Sequence, residues 1–302
     1  MQSRRGRRTL FLALGAGLLA AGAAAFAYRN ALAERWHLWM LHSKDPANWK
    51  IAAERLGELR SARAVPRLME LLRKLYPEPK AKDAQDPPPP PDPHPYDTAL
   101  LAIGPAATPA LVEGLGSSKE YFRRTVDTIL LGIGKPSVVP LAATLGEKGE
   151  WRRTHVLDLL GEFGPSAWEA VPALIRCLGD ESDRVRSRAA NVLARIGKEA
   201  KEAVPALILN LKHEKPMVAC AAARALGAVA PESAVRPLKE SLETTEDPQS
   251  RIVFATVLAR IDPEDKSSIQ TIREALEANY PSKKYGDEIR GQARQALADL
   301  EK

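Results

Sequence analysis

Apolar residues return along the chain at helical spacing, and the arrangement itself recurs. Residues 171–213 hold one complete unit. Val171, Leu174, Ile175 and Leu178 stand at i, i+3, i+4 and i+7, the stripe of an amphipathic helix. An acidic turn follows, then a second amphipathic run carrying Ala189 and Leu193. Gly197 stops that run, and Val204-Pro205-Ala206-Leu207 restates Val171-Pro172-Ala173-Leu174. Aligned on the leucine near each stop, the chain reads Leu56, Leu100, Leu130, Leu160, Leu193, Leu226, Leu258 and Leu297. Most successive leucines lie about 30–33 residues apart, a period that marks a stacked helical repeat. Four residues before each stands Ala52, Tyr96, Val126, Val156, Ala189, Ala222, Phe254 or Ala293, so each first helix has one apolar face.

A second helix is predicted after each stop but the last. Its start carries Pro66, Pro109, Pro140, Pro172, Pro205 or Pro237, and Thr271 takes that place in the seventh unit. Proline suits a first helical turn, where its missing N–H would be unpaired anyway. Gly104, Gly134, Gly164 and Gly197 are expected to close the first helices as left-handed caps. Two interruptions break the period. Residues 77–95, PEPKAKDAQDPPPPPDPHP, are too proline-rich for helix or central strand and read as an extended spacer. A second insertion near Tyr280 and Pro281 precedes a final single helix over residues 287–300, with a charged outer face like that of a stack's terminal cap.

The chain begins differently. Residues 10–28 contain no charge and would span about 28 Å as a helix, close to the hydrocarbon thickness. The basic flank before them keeps the amino end cytoplasmic under the positive-inside rule. The preferred reading is a single-pass anchor with the remainder outside the cytoplasm of a bacterium. The alternative is a signal peptide cleaved near Ala25-Phe26-Ala27, the chain then being exported. Arg29, Arg35, Trp36 and Trp39 follow the run like interfacial anchors. The expected organisation is therefore a basic flank and anchor or signal over 1–29, a juxtamembrane helix over 30–44, and the repeats over 45–302.

The formal charge of +6 changes little, because four arginines (Arg4, Arg5, Arg7 and Arg8) belong to the amino-terminal flank. The body is near neutral, which argues against nucleic-acid binding. Cys177 and Cys220 sit in different units and are read as buried free thiols.

Paired helices of this length, an Asp-x-x-Arg start, an Ala-x-x-x-Leu stripe, a glycine stop and a Val-Pro-x-Leu second helix resemble HEAT repeats. The nearest variety is the short bacterial type also found in phycobilisome lyases. The resemblance covers residues 45–300 and is strongest over 151–213. It implies an all-α, right-handed α-solenoid whose second helices line a concave face, here preceded by a transmembrane or signal helix. It does not fix a function.

A second series runs beside the leucines: Arg123, Arg153, Arg186, Arg251 and Arg290. Glu120, Glu150, Asp183 and Asp287 stand three residues before four of them, spacing that puts each acid and arginine on one helix face. This reads as a structural ladder of ion pairs linking repeats. The functional alternative is a basic track for an anionic partner.

Enzyme chemistry finds little footing. Deoxyhypusine hydroxylase resembles this fold and uses several His-Glu dipeptides for a di-iron centre, whereas this chain has only His213-Glu214. The segment Gly132–Ser137 lacks the first glycine of a phosphate loop and places Pro136 after its lysine. No nucleophile–base constellation is visible. The expectation is a non-catalytic, membrane-anchored scaffold with no cofactor, binding a protein through exposed positions of the second helices: Arg67, Glu70, Arg176, Asn210, Lys239 and Glu243. The alternatives are an enzyme, lyase-like or metal-dependent, and a structural spacer in an envelope assembly.

Overall fold

In a computed structural model the described residues are 23–76, 94–280 and 282–301, and all their regular elements are helical. Residues 10–22 of the apolar run and 77–93 of the proline-rich insertion lie outside them. The chain divides into two compact units, Met1–Ile133 and Gly134–Lys302.

The first unit opens with α1, whose described part spans residues 23–40 and so runs across the boundary expected at 29/30. It continues with α2 (Pro46–Glu58), α3 (Val65–Leu75), α4 (Pro95–Ile103), α5 (Thr108–Gly114) and α6 (Glu120–Ile133). Helices α2, α4 and α6 pack side by side as one layer, and α3 and α5 form the other. One side of α1 is fastened to this unit. The Ser61 hydroxyl donates to Glu34 Oε1 at 2.5 Å, Arg67 Nε donates to the Leu41 carbonyl at 3.1 Å, and Leu41 is fully buried.

The second unit has the same two-layer order. Its first layer is α8 (Glu150–Glu162), α10 (Asp183–Ile196), α12 (Pro216–Val229), α14 (Pro248–Ile261) and α16 (Lys283–Leu300). Its second helices are α7 (Val138–Ala143), α9 (Val171–Cys177), α11 (Val204–Leu211), α13 (Pro231–Thr244) and α15 (Lys266–Glu277). Among the described residues no single helix is long and apolar enough to cross a membrane.

The aligned leucines form the core. Seven of the eight, Leu56 through Leu258, are at most 1% exposed. Leu297 is half-buried against a terminal cluster that includes Ile252, Ile272 and Ile289. In α10 the buried positions Val185, Ala189, Val192, Leu193 and Ile196 keep the predicted stripe. The residue after several of the leucines is small because adjacent first helices approach closely there. A Cβ on Gly57 would lie 3.0 Å from the Ala99 Cα, and one on Gly227 would lie 2.6 Å from Val257 Cγ1. The second contact requires Val257 to move, and the first is against backbone.

Three details differ from the sequence expectation. The stop glycines have positive φ, but Gly104, Gly134 and Gly197 combine φ of 73–80° with ψ of −133 to −145°. That is the mirror-β region and not the left-handed helical one; only glycine enters it freely. It sends the chain into a short 3₁₀ turn that leads into the next helix. Second, Pro66, Pro109, Pro172 and Pro205 occupy first-turn positions, whereas Pro237 lies inside α13. This unit has no stop glycine. The chain turns at Ala230 (φ −151°, ψ 70°) and Pro231 starts the helix at once, so Pro237 is enclosed. Third, the last helix begins at Lys283, four residues earlier than expected, under the Ser282 cap.

Caps fix several first turns, and one should be visible in acid. Asp265 starts α15, with its carboxylate accepting from the Ser267 hydroxyl at 2.6 Å and the Ser268 hydroxyl at 3.0 Å, beside Lys239 Nζ at 3.3 Å. These partners, the Ser267 hydroxyl first, hold its carboxyl at about 2, below the ordinary 3.8. A depressed folded pKa stabilises the fold above the ordinary value, and that contribution disappears as pH falls towards 2. Asp265→Asn should therefore flatten part of the acid branch of stability between pH 4 and 2, measured by urea unfolding at each pH. An unchanged branch would show that Asp265 does not set it.

Candidate functional site

The second helices of the later unit share a register that decides what they expose. Leu141, Leu174, Leu207 and Leu238 are fully buried at equivalent places in α7, α9, α11 and α13. Two residues after each comes an exposed position: Ala143, Arg176, Leu209 and Glu240. Two residues before each comes another: Val139, Pro172, Pro205 and Arg236. Leu209 is 77% exposed and Val139 53%. From α7 to α11 this row is therefore mainly apolar, with Arg176 in its middle. At α13 it turns ionic, with Arg236 and Glu240 paired at 2.8 Å.

Three residues after the same leucines lies a buried column of small, mostly polar side chains: Thr144, Cys177, Asn210 and Ser241. Asn210 was expected to face a partner, and this register corrects that. It is 8% exposed and its Nδ2 donates to the Leu178 carbonyl at 3.1 Å and to the Ala206 carbonyl at 2.9 Å. It satisfies the open carboxyl end of the preceding second helix, a backbone group that helices leave unpaired. Cys177 in the same column is a free thiol pushed up to about 11 by burial, and Cys220 is likewise free and buried. Both are poor thiolates.

The remaining expected positions scatter. Glu70 and Arg176 occupy exposed places two residues after a buried leucine. Arg67 is half-buried against α1, and Lys74 and then Arg67 hold the Glu70 carboxyl at about 2. Lys239 is exposed but faces Asp265, and Glu243 is exposed near the end of α13. Leu209, Val139 and the two exposed prolines were missed. Their signal was an apolar residue at a register position that the second-helix stripe does not bury.

The arginine series lies at the turns between hairpins. Arg123, Arg153, Arg186 and Arg251 each donate to the carbonyl six residues back, of Ser117, Glu147, Asp180 and Thr245. Two of them also reach 27 residues forward. Arg153 Nη2 meets Asp180 Oδ1 at 2.9 Å, and Arg186 Nη1 meets His213 Nε2 at 2.7 Å. Arg153 is only 7% exposed. The equivalent residue in α12 is Ala219, so the series is broken there. The expected i−3 ion pairs are corrected in part. Asp287 is 3.5 Å from Arg290, but Glu120 pairs with Arg124 at 2.5 Å and Asp183 lies 3.3 Å from His213. The guanidinium groups of Arg123, Arg153, Arg186 and Arg251 turn back to the bare carbonyls of their own turn.

Among the described residues no three His, Cys, Asp or Glu side chains gather into a metal-ligand group. His213 and Glu214 stay in a turn, with His213 Nδ1 accepting from the Lys215 N–H.

The HEAT-repeat family profile matches residues 141–210 and 204–298, and the phycobilisome-lyase HEAT-like repeat profile matches residues 50–74. No curated protein sequence matches the chain. Among solved structures, human deoxyhypusine hydroxylase in complex with glycerol is 23% identical over 76% of this chain and 85% of its own, with a TM-score of 0.37. The CpcE–CpcF complex of phycocyanin lyase from Nostoc is 21% identical over 53% of this chain and 98% of the other, with a TM-score of 0.39. The karyopherin Kap121p bound to the extreme C-terminus of the protein phosphatase Cdc14p is 14% identical over 88% of this chain and 33% of its own, with a TM-score of 0.45. The first profile runs across the hairpins from α7 to α16, and with them more than half of the sequence: the chain belongs to the HEAT-repeat family.

Proposed function

We propose that this HEAT-repeat chain is a non-catalytic scaffold that binds a protein on the second helices of its later unit. The observation that carries the reading is the exposed row Val139, Pro172, Arg176, Pro205 and Leu209. A leucine 77% exposed one turn after the rigid Pro205 presents apolar surface that a partner can bury without first ordering a loop. Arg176 supplies a directional contact in the middle of that surface. The apolar run over residues 10–28 and its basic flank support a further element of the reading: a single-pass anchor, amino end cytoplasmic, repeats outside the cytoplasm.

The test uses the membrane-bound full chain carrying a photocrosslinking residue at Leu209 or, as a control, at Met217, which is exposed on the first-layer helix α12. A discrete crosslinked protein is expected from position 209 and not from 217. Leu209→Glu should weaken recovery of that protein about tenfold or more, as expected for losing one buried apolar side chain at an interface. Equal crosslinking at both positions, or none at 209, would remove the second-helix row as the binding face.

A further inference from the structure

The described part of α1 has two unlike sides. Glu34 and Leu41 face the first unit, tied down by Ser61 and Arg67. Tyr28, Leu32, Trp36 and Trp39 fall at i, i+4, i+8 and i+11, a single stripe along the helix, and each is about half exposed or more. The two indoles lie 5.1 Å apart, centroid to centroid, with 59% and 63% of their surface open. The charged residues on or beside the stripe, Arg29 and Arg35, are both basic. The acid of this helix, Glu34, lies on the side turned towards the body.

We infer that this stripe lies in the headgroup region of a lipid bilayer and lays the first unit down against it. The inference rests on the anchoring reading above and adds to it an orientation. Three observations select lipid as the occupant. The stripe begins where the uncharged run of residues 10–28 ends, so any membrane that holds the run is adjacent to it. Tryptophan and tyrosine favour the interface, where the ring is half apolar and half wet. Two exposed guanidinium groups complement anionic headgroups.

Length then fixes the attitude of the helix. From Tyr28 to Trp39 the stripe extends about 16 Å at the α-helical rise. The headgroup layer is only about 5–8 Å deep on each side. A helix standing upright would carry Trp39 out into water, so for both indoles to be interfacial α1 must run obliquely, residues 23–28 of the uncharged run tilting with it. Because its other side is fastened to Ser61, in the turn after α2, and the residue just beyond its end to Arg67 of α3, the unit follows it. The first repeats are held at a set angle to the surface and do not swing from a flexible tether.

The experiment is quenching of tryptophan fluorescence in the full chain, inserted into phosphatidylcholine–phosphatidylglycerol vesicles brominated either near the headgroup or deep in the acyl chain. Shallow bromines should quench more strongly than deep ones. Trp36→Phe with Trp39→Phe should remove most of that quenching while the chain still floats with the vesicles. Flotation without quenching overturns the proposed attitude and leaves the anchor standing. Stronger quenching from deep bromines overturns it too, since the indoles would then lie inside the membrane core. No flotation overturns both readings.

Discussion

Replacing Leu193 with aspartate should unfold the middle of the later unit. Leu193 is fully buried in α10, which packs on α8 and on α12, so the substitution damages two helix–helix contacts at once. Losing the buried leucine alone costs about 2–5 kcal/mol. An unpaired carboxylate in an apolar interior adds several kcal/mol more. Together these approach the whole stability of an ordinary domain, about 5–15 kcal/mol. Helical circular dichroism followed through a urea titration should show the midpoint falling steeply or the transition vanishing. Leu193→Met should stay within about 1.5 kcal/mol of the parent, because volume is nearly kept. An aspartate variant melting with the parent midpoint would mean that the leucine register is wrong.

Breaking the Arg153–Asp180 contact should come next in size. Both side chains are nearly out of solvent, with 9% and 14% of their surface open, so this is not an ordinary surface ion pair. Removing one partner strands the other, and breaking a buried pair costs about 3–5 kcal/mol. The lower end is expected here, because Asp180 keeps a hydrogen bond from the Ser182 N–H at 2.9 Å. Arg153→Ala should therefore destabilise by about 3 kcal/mol with little dependence on salt. Combined with Asp180→Ala, the loss should be clearly smaller than the two single losses added, the mark of a coupled pair. Strict additivity would show that the two groups do not interact in solution.

The sequence revealed the parts of this fold that depend on burial. A leucine at a fixed place in each first helix must be hidden, and the recurrence is independent of how the turns run. The prolines at Pro66, Pro172 and Pro205 were equally readable, because their fixed φ admits few helical positions. Features set by backbone direction were not readable. Nothing in the order of residues says that Arg186 prefers the Asp180 carbonyl to the Asp183 carboxylate, since that choice depends on where the turn points its bare oxygens. Asn210 looked like a surface residue because polar residues usually are. Only the second-helix register, with Cys177 and Ser241 at the equivalent places, puts it inside. Leu209 escaped notice for the opposite reason: an apolar residue beside a stripe is read as part of it. Pro237 misled because it matched the other prolines in sequence while Pro231 had already begun the helix.

The gap at Ala219 bears on how the later unit deforms. At Arg153 and Arg186 a guanidinium ties one turn to the following one with directional bonds that resist displacement. Between the α12 and α14 hairpins a polar contact is the soft Cys220 Sγ to Ser250 Oγ approach of 3.8 Å, and Gly227 of α12 lies against Val257 of α14. Smooth apolar surfaces slide over one another at little enthalpic loss, in the manner of shear between packed helices. Mechanical load on the later unit should therefore be relieved first at this seam, which lacks the forward clamp that Arg153 and Arg186 supply.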